Sequence, residues 1–411
     1  MNDRREIYAD HAATTAPADE VVAAMTPYER ERFGNPSSVH RRGEAARQAV
    51  EDARARVAAL IGATPEEMVF TATGSEANNL ALTGTMEAAA QEGGSRPGPH
   101  AVPRRRLVVS AIEHPSVLET AHHLGGDGYE ITVLPVEPDG LVDPVRLERA
   151  LSPDVALVSV MLVNNEIGTL QPVQQIARLA HAAGARVHCD AVQAVGKMPV
   201  DVRALDVDLL TLAGHKFHGP LGAAALFVRR RTRLVPLMHG GHQERSRRAG
   251  TENLPAIVGL GVAAERAAHG LSSGEPSRIA ALAERLLVGL LERVPQARLN
   301  GHRERRLASV VNLCFAGVDG EAVLHELDLE GVTVSTGSAC SAASPGPSHV
   351  LMALGMRPED AHASVRFSLG EGNDEADVDR IIAVTPTVVE RLRALAGSLP
   401  GDPGRVARAS A

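Results

Sequence analysis

The chain reads as an α/β protein with a large, mostly parallel sheet domain and a smaller α+β domain. Three observations predict this. Short apolar runs alternate with helical segments between Met68 and Val228, which is the pattern of a parallel sheet covered on both faces. After about residue 255 the alternation gives way to long Ala/Leu/Arg helices and scattered strands. At 411 residues the chain exceeds one ordinary core, so two domains are expected. The implied division is 16–255 for the large domain and 1–15 plus 256–400 for the small one, with 401–411 as a disordered tail.

Each element has its own warrant. Over residues 37–61, Ala46, Val50, Val57 and Leu60 recur at helical spacing. Ser37 or Ser38, after Pro36, would cap that helix. Met68-Val69-Phe70 reads as a short strand, and Ser75-Glu76-Ala77 opens the next helix. Residues 91–106 are rich in Gly, Pro and Arg and read as a loop. Buried strands follow at 107–110, 155–163, 186–188, 209–212 and 223–228, with a helix at 173–183. Further on come helices at 256–270 and 277–293, strands at 308–315 and 332–335, a helix from Glu321, and a strand at 364–369. No internal repeat is present.

Composition narrows the function classes. Hydrophobic content of 44% and charged content of 22% are globular values. Six Phe, three Tyr and no Trp leave a core of Ala, Val and Leu. A net charge of -8 argues against direct nucleic-acid binding. No apolar run reaches the roughly 18 residues of a membrane span, and the N-terminus lacks an apolar signal core. The expectation is a cytoplasmic protein with no membrane partner. Cys189, Cys314 and Cys340 are an odd, widely spaced set, unlike a disulfide framework and suited to a reducing compartment. No metal site is expected, because His215/His218 and His122/His123 lack the cysteine or acidic company of closed zinc.

Lys216 and Asp190 carry the chemical reading. Lys216 lies in Ala213-Gly214-His215-Lys216-Phe217, just past one strand, and Asp190 lies in His188-Cys189-Asp190-Ala191-Val192-Gln193, past another. Ligands of open α/β sheets sit beyond the carboxyl ends of the strands. A lysine and an acid there are the two groups a pyridoxal 5'-phosphate (PLP) site needs. The lysine holds the aldehyde as a Schiff base and the carboxylate keeps the pyridine nitrogen protonated. In Thr73-Gly74-Ser75-Glu76, a strand turns into a helix whose amides and hydroxyl suit a phosphate; Ser75 would serve equally as an ordinary N-cap. In Ile112-Glu113-His114-Pro115, His114 could stack on a flat cofactor and shuttle protons. Asn165, in Asn164-Asn165-Glu166-Ile167-Gly168, could bond the phenolic oxygen.

Together these segments resemble the cysteine desulfurases, the NifS/IscS-like branch of the class V aminotransferases, which are fold-type I PLP-dependent transferases. The resemblance runs from Tyr8-Ala9-Asp10-His11-Ala12-Ala13-Thr14-Thr15 through Phe33-Gly34-Asn35-Pro36 and Ser335-Thr336-Gly337-Ser338-Ala339-Cys340-Ser341 to Val365-Arg366-Phe367-Ser368. It implies that Lys216 is the Schiff-base lysine, Asp190 the partner of the pyridine nitrogen, and His114 the stacking residue. Asn165 and Gln193 become the phenolic-oxygen contacts, and Gly74, Ser75 and His215 the phosphate ligands. Thr251 would reach the phosphate of the other subunit, implying a homodimer. Arg366, assisted by Asn35, would clamp the substrate carboxylate through a guanidinium fork. Two departures stand out: Ala213 where many members have a phosphate-binding serine, and Leu221 where a lysine is common. One lost hydroxyl bond is worth on the order of 1 kcal/mol.

Cys340 decides the reaction. Small residues surround it, as in an accessible loop where a thiolate can act, whereas Cys189 and Cys314 lie in apolar strands and read as inert. The implied activity converts L-cysteine to L-alanine and passes sulfur, through a Cys340 persulfide, to an acceptor protein. Iron–sulfur cluster assembly, tRNA thiolation and DNA phosphorothioation all draw on such enzymes. A selenocysteine lyase or an aminotransferase would share Lys216 and Asp190 but depend less on Cys340.

Overall fold

The computed structural model describes residues 6–95, 104–336 and 346–398. The chain opens with a two-residue strand, β1 (Ile7–Tyr8), then helices α1 (Asp19–Arg30) and α2 (Arg41–Leu60). α2 is capped by His40, whose ring accepts from Gly43 N, and not by Ser37 or Ser38. A ring nitrogen here takes the role a hydroxyl was expected to fill.

The central body alternates as its sequence pattern requires. In chain order it contains β2 (Met68–Thr71), α3 (Gly74–Ser95), β3 (Arg106–Ser110), α4 (Pro115–Gly126), β4 (Glu130–Leu134) and α5 (Pro144–Ala150). Then come β5 (Val155–Ser159), α6 (Val173–Ala182), β6 (Arg186–Asp190), α7 (Val202–Leu205), β7 (Leu209–Ala213), β8 (Ala224–Val228) and the short, kinked α8 (Gln243–Ser246). The seven strands lie in the order β2-β8-β7-β6-β5-β3-β4. β8 pairs antiparallel with both neighbours, and the pairs among β3 to β7 are parallel. The expected strand 155–163 ends as regular β at Ser159, and Val163 makes only an isolated bridge to Leu170. β4 escaped the sequence reading because it is only half apolar and exposed at the sheet edge.

One face of the sheet is covered by α3 and α4 through Leu80, Leu82, Met86 and Val117. The other is covered by α2, α6 and α9 (Leu254–Ser273) through Val50, Val57, Ile176 and Leu260. With few aromatics, this core closes by near approach of backbones. A Cβ on Gly261 would lie 2.7 Å from Cβ of Ala53, so α9 meets α2 there only through glycine.

A second core gathers α10 (Glu275–Arg293), β9 (Ala297–Leu299), β10 (Val310–Phe315), α11 (Gly320–Leu329), β11 (Val332–Thr333), β12 (Ser364–Ser368) and α14 (Glu375–Ser398), whereas α12 (His349–Ala353) and α13 (Pro358–His362) pack on the first core through Val350, Leu351 and Ala361. Its apolar centre joins Leu286, Leu290, Leu313, Phe315, Phe367 and Ile381, with Ile7 and Ala9 from the N-terminus. β9, β10 and β12 form an antiparallel sheet, and β1 pairs in parallel with β11.

The α8 segment carries a run of left-handed residues, Glu244 (φ 47°), Arg245 (φ 57°) and Ser246 (φ 61°). A buried ion pair holds it. Arg54 of α2 donates to Glu244 through Nη1 at 2.7 Å and Nη2 at 2.8 Å, and Phe70 N donates to Glu244 Oε2 at 2.9 Å. Both side chains are almost fully buried. Removing one partner strands the other charge in a low-dielectric interior. Arg54→Ala is therefore expected to cost about 3–5 kcal/mol of stability, read as a lowered midpoint in urea unfolding. A loss under about 1 kcal/mol would mean the segment is held by other contacts.

Candidate active site

The carboxyl ends of β2, β3, β5, β6 and β7 point to one edge of the sheet, because these strands run the same way. Asp190 is the last residue of β6 and is buried. Its Oδ2 accepts from Asn78 Nδ2 at 2.8 Å, and its Oδ1 from Val192 N at 3.0 Å. A carboxylate has about four acceptor sites, so lone pairs remain for a further N–H. Lys216 ends the tight turn that follows β7. Its Nζ donates to Ala12 O at 2.7 Å and Ala13 O at 2.6 Å. Gln193 Nε2 donates to the same Ala12 carbonyl at 2.8 Å. Lys216 and Gln193 therefore meet at the turn of Ala12 and Ala13, with Asp190 three positions before Gln193 at the end of β6.

His114 caps α4. Its Nδ1 accepts from Ser116 N at 3.1 Å, so the proton of the neutral ring sits on Nε2. Burial lowers its pKa, with Lys216 and His349 adding to the effect and Asp190 opposing it. His215 bonds Thr14 Oγ1 at 3.1 Å. Burial, then Lys216 and Lys197, push its pKa down to about 4. It is a neutral donor–acceptor at ordinary pH.

The first turn of α3 starts one residue earlier than expected, at Gly74. Thr73 and not Ser75 acts as its cap, Thr73 Oγ1 accepting from Glu76 N at 3.0 Å. Ser75 is exposed, and the N–H groups of Gly74 and Ser75 have no acceptor among the described residues. A Cβ on Gly74 would lie 3.2 Å from Val192 Cγ2 and 3.5 Å from Ala213 Cβ. The turn thus closes directly over the ends of β6 and β7.

Arg366 lies within β12, 2% exposed. Its Nη2 pairs with Asp10 Oδ1 at 2.6 Å, and its Nη1 donates to Asn165 O at 2.9 Å. The Asp10 carboxylate sits where a carboxylate ligand of this guanidinium would sit. Arg366 also exchanges both backbone hydrogen bonds with Ser335. Asn35 is exposed, its Oδ1 accepting from Ser37 N at 2.9 Å, and no hydrogen bond among the described residues joins it to Arg366. Thr251 is exposed on the loop that Arg248 ties to Glu76 of α3, at 2.7 Å. Cys340 lies outside the described residues. Cys189 and Cys314 are buried, and burial pushes both thiols up.

Asp10, Asn78 and the Ala12 and Ala13 carbonyls were not singled out from sequence as site groups. Asp10 and Asn78 fall inside motifs that were, but nothing local names their partners. Two buried acids were also missed. Glu166 Oε2 accepts from Ser348 Oγ at 2.5 Å, and burial raises its pKa to about 7. Glu113 Oε1 accepts from Ser110 Oγ at 2.5 Å and Met161 N at 2.9 Å, while Oε2 has no partner. Burial raises its pKa to about 8 against those two donors, with Asp190 adding to the rise.

The donor set fits PLP. An open-sided buried acid, a lysine amine, a neutral imidazole and two helix-start amides surround one sheet edge, each with the chemistry one part of that cofactor requires.

The aminotransferase class-V family matches residues 7–381. Cysteine desulfurase IscS of Dictyoglomus turgidum is 44% identical over 392 residues, 95% of this chain and 96% of the relative. Among solved structures, a NifS-like protein superposes with a TM-score of 0.85 at 33% identity, covering 94% of this chain and all of the other. DndA from Streptomyces lividans superposes with a TM-score of 0.72 at 34% identity, over 87% and 97% of the two chains.

The Glu113 acid has a direct thermodynamic consequence. Its folded pKa lies above the unfolded one, so the native state binds the extra proton. Stability should fall as pH rises from about 4.5 to about 8, by at most about 1.4 kcal/mol per pH unit. Glu113→Gln should flatten that limb while leaving stability at pH 4.5 little changed. Urea unfolding at several pH values checks it, and identical slopes in both proteins would refute a neutral Glu113.

Proposed function

This chain belongs to the aminotransferase class-V family, and we propose on that premise that it is a PLP-dependent cysteine desulfurase. It converts L-cysteine to L-alanine and hands the sulfur on through a persulfide of Cys340. Relatives carrying that activity by name match it along nearly the whole chain. The observation that carries the reading to individual residues is the junction at Ala12, where Lys216 Nζ and Gln193 Nε2 converge beside the β6 end bearing Asp190.

When bound, PLP supplies the electron sink for a carbanion at the substrate α-carbon. Asp190 accepts the pyridine N–H, held for that by Asn78 and Val192 N. His114 covers the ring. Gly74, Ser75 and His215 take the phosphate, and Asn165 and Gln193 the phenolic oxygen. Arg366 binds the substrate carboxylate in exchange for Asp10, and Asn35 assists. Lys216 Nζ removes the α-proton. The Cys340 thiolate attacks the substrate sulfur, so that a new S–S bond forms as the C–S bond breaks. The net change is L-cysteine plus a Cys340 thiol to L-alanine plus a Cys340 persulfide, balanced in atoms and electrons. His114 Nε2 is the atom that holds the proton to be exchanged with the thiol.

A homodimer in which Thr251 completes the partner's phosphate site, a cytoplasmic location, and a division into a large domain of residues 16–255 and a small one of 1–15 plus 256–400 belong to the same proposal. Exposure of Thr251 supports the first. No described helix is long and apolar enough to cross a membrane. The acceptor is a protein of iron–sulfur assembly, tRNA thiolation or DNA phosphorothioation; likeness to DndA keeps the last of these in view.

The test is purified protein with PLP and L-cysteine, assayed for alanine and for sulfide released by an added thiol, with Cys340→Ser beside it. Wild type should show a visible cofactor band and make alanine, while the variant keeps the band and loses turnover. Turnover indifferent to Cys340 would point to a lyase or aminotransferase. Arg366→Lys, which trades a fork for a point charge, should raise KM for L-cysteine by about tenfold or more. An unchanged KM would remove Arg366 from the carboxylate site.

A further inference from the structure

Gln193 has a hydrogen-bond partner at each end of its amide. Nε2 donates to Ala12 O at 2.8 Å, a carbonyl already shared with Lys216 Nζ. Oε1 accepts from Lys197 Nζ at 2.8 Å. A side-chain amide is almost symmetric in shape, so its two orientations differ only in the partners they meet. An ammonium donates three hydrogen bonds and accepts none. With Lys197 protonated, a flipped Gln193 would set NH2 against NH3. The Ala12 contact is divided with Lys216, whereas the Lys197 contact belongs to Gln193 alone.

We propose that Lys197 is a positioning residue, locking the Gln193 amide with its nitrogen toward Lys216 so that Gln193 can only donate to the cofactor's phenolic oxygen. This rests on the functional reading above. Lys197 has no carboxylate partner among the described residues, and Lys216, Arg366, His11, His215 and His218 all lie within its electrostatic reach. Burial, then Lys216 and Arg366, draws its pKa down to about 7. On this half-buried wall, an amine with no counter-ion among the described residues costs stability that an apolar side chain would not. Its side-chain hydrogen bond among the described residues is to the Gln193 oxygen.

The lock also has a direction. A phenolate is stabilised by a donor and repelled by a carbonyl oxygen. Loss of Lys197 would leave the Ala12 carbonyl, shared with Lys216, as the one described contact on the Gln193 amide, loosening its donor end and raising the proton affinity of the cofactor's chromophore. Loss of the Lys197 charge beside Lys216 acts with the same sign, so a single variant cannot separate the two effects. A double-mutant cycle can.

The experiment is a pH titration of the visible absorption band of the PLP-loaded enzyme, without substrate, in wild type, Lys197→Met, Gln193→Leu and the double variant. Lys197→Met should raise the midpoint by about one pH unit. In the Gln193→Leu background the same substitution should have about one-third of that effect or less. Equal shifts in both backgrounds would overturn the proposal, since Lys197 would then act by its charge alone. Lys197→Arg keeps a donor-only cation, and the adjoining cavity of about 470 Å³ has room for it; it should retain the wild-type midpoint. A shift matching that of Lys197→Met would also overturn the lock. If Lys197→Met fails to fold by far-UV circular dichroism, Lys197→Gln, whose end can accept as well as donate, takes its place. A wild-type protein that shows no band with PLP would instead overturn the functional reading, and the lock with it.

Discussion

The site depends on one stretch of chain, residues 7–15, laid between the two cores. Ile7 and Tyr8 pair with Val332 and Thr333. Asp10 bridges to Ser368, and Thr15 N donates to His215 O at 2.8 Å. Between these anchors the Ala12 and Ala13 carbonyls point at Lys216. Backbone carbonyls are obligatory acceptors that cannot leave without unfolding the segment. A lysine tethered to them is fixed more firmly than one tethered to a side chain. The same segment carries Asp10 to Arg366, so the amine and the guanidinium are both tied to one short turn of backbone.

Around that segment, burial decides the charge states. It raises the acids Glu113 and Glu166 and lowers the bases His114, His188, His215 and Lys197. Each group moves toward neutrality because a charge in a low dielectric costs more than a proton gained or lost. Arg366 has an opposite charge beside it, Asp10 Oδ1 at 2.6 Å. The edge is therefore poor in fixed charge apart from specific pairs. Any charge that develops on a bound substrate meets few competitors, and the donors aimed at it count for more than they would in water.

The sequence made the architecture legible where period and strand ends carried the signal. While 155–163 was read four residues too long, several strands were found nearly to the residue, since runs such as Leu209–Ala213 and Ala224–Val228 are almost wholly apolar. β4 was not, because Glu130–Leu134 is mixed in character. The long α14 was missed with it, its apolar positions being diluted by charge on the outer face. Lys216, Asp190 and His114 could be named from their places after strands, and Gln193 from the family resemblance. What binds them could not. Asn78 reaches Asp190 from 112 positions away, and Asp10 reaches Arg366 from 356. Such pairs exist only once the sheet order is known, and no local pattern encodes that order. Ser75 shows the reverse case, where a cap and a ligand were both readable and only Thr73's hydroxyl on Glu76 N separates them.

That cap bears on the chain's main departure from the family pattern. Ala213 lacks the hydroxyl that a serine would place near the α3 start, and Leu221 is largely exposed where a lysine would bring a cation. Thr73 satisfies Glu76 N, and the amides of Gly74 and Ser75 have no acceptor among the described residues at the positive end of a helix running to Ser95. Two amides and a helix dipole are groups that substitution cannot easily remove. Gly74 also packs against Ala213 with its would-be Cβ 3.5 Å from the alanine Cβ, a separation that a bulkier residue at either position would disturb. In the proposed site those two amides would share the phosphate with Ser75 and His215, so the missing hydroxyl would cost one bond of about 1 kcal/mol out of several.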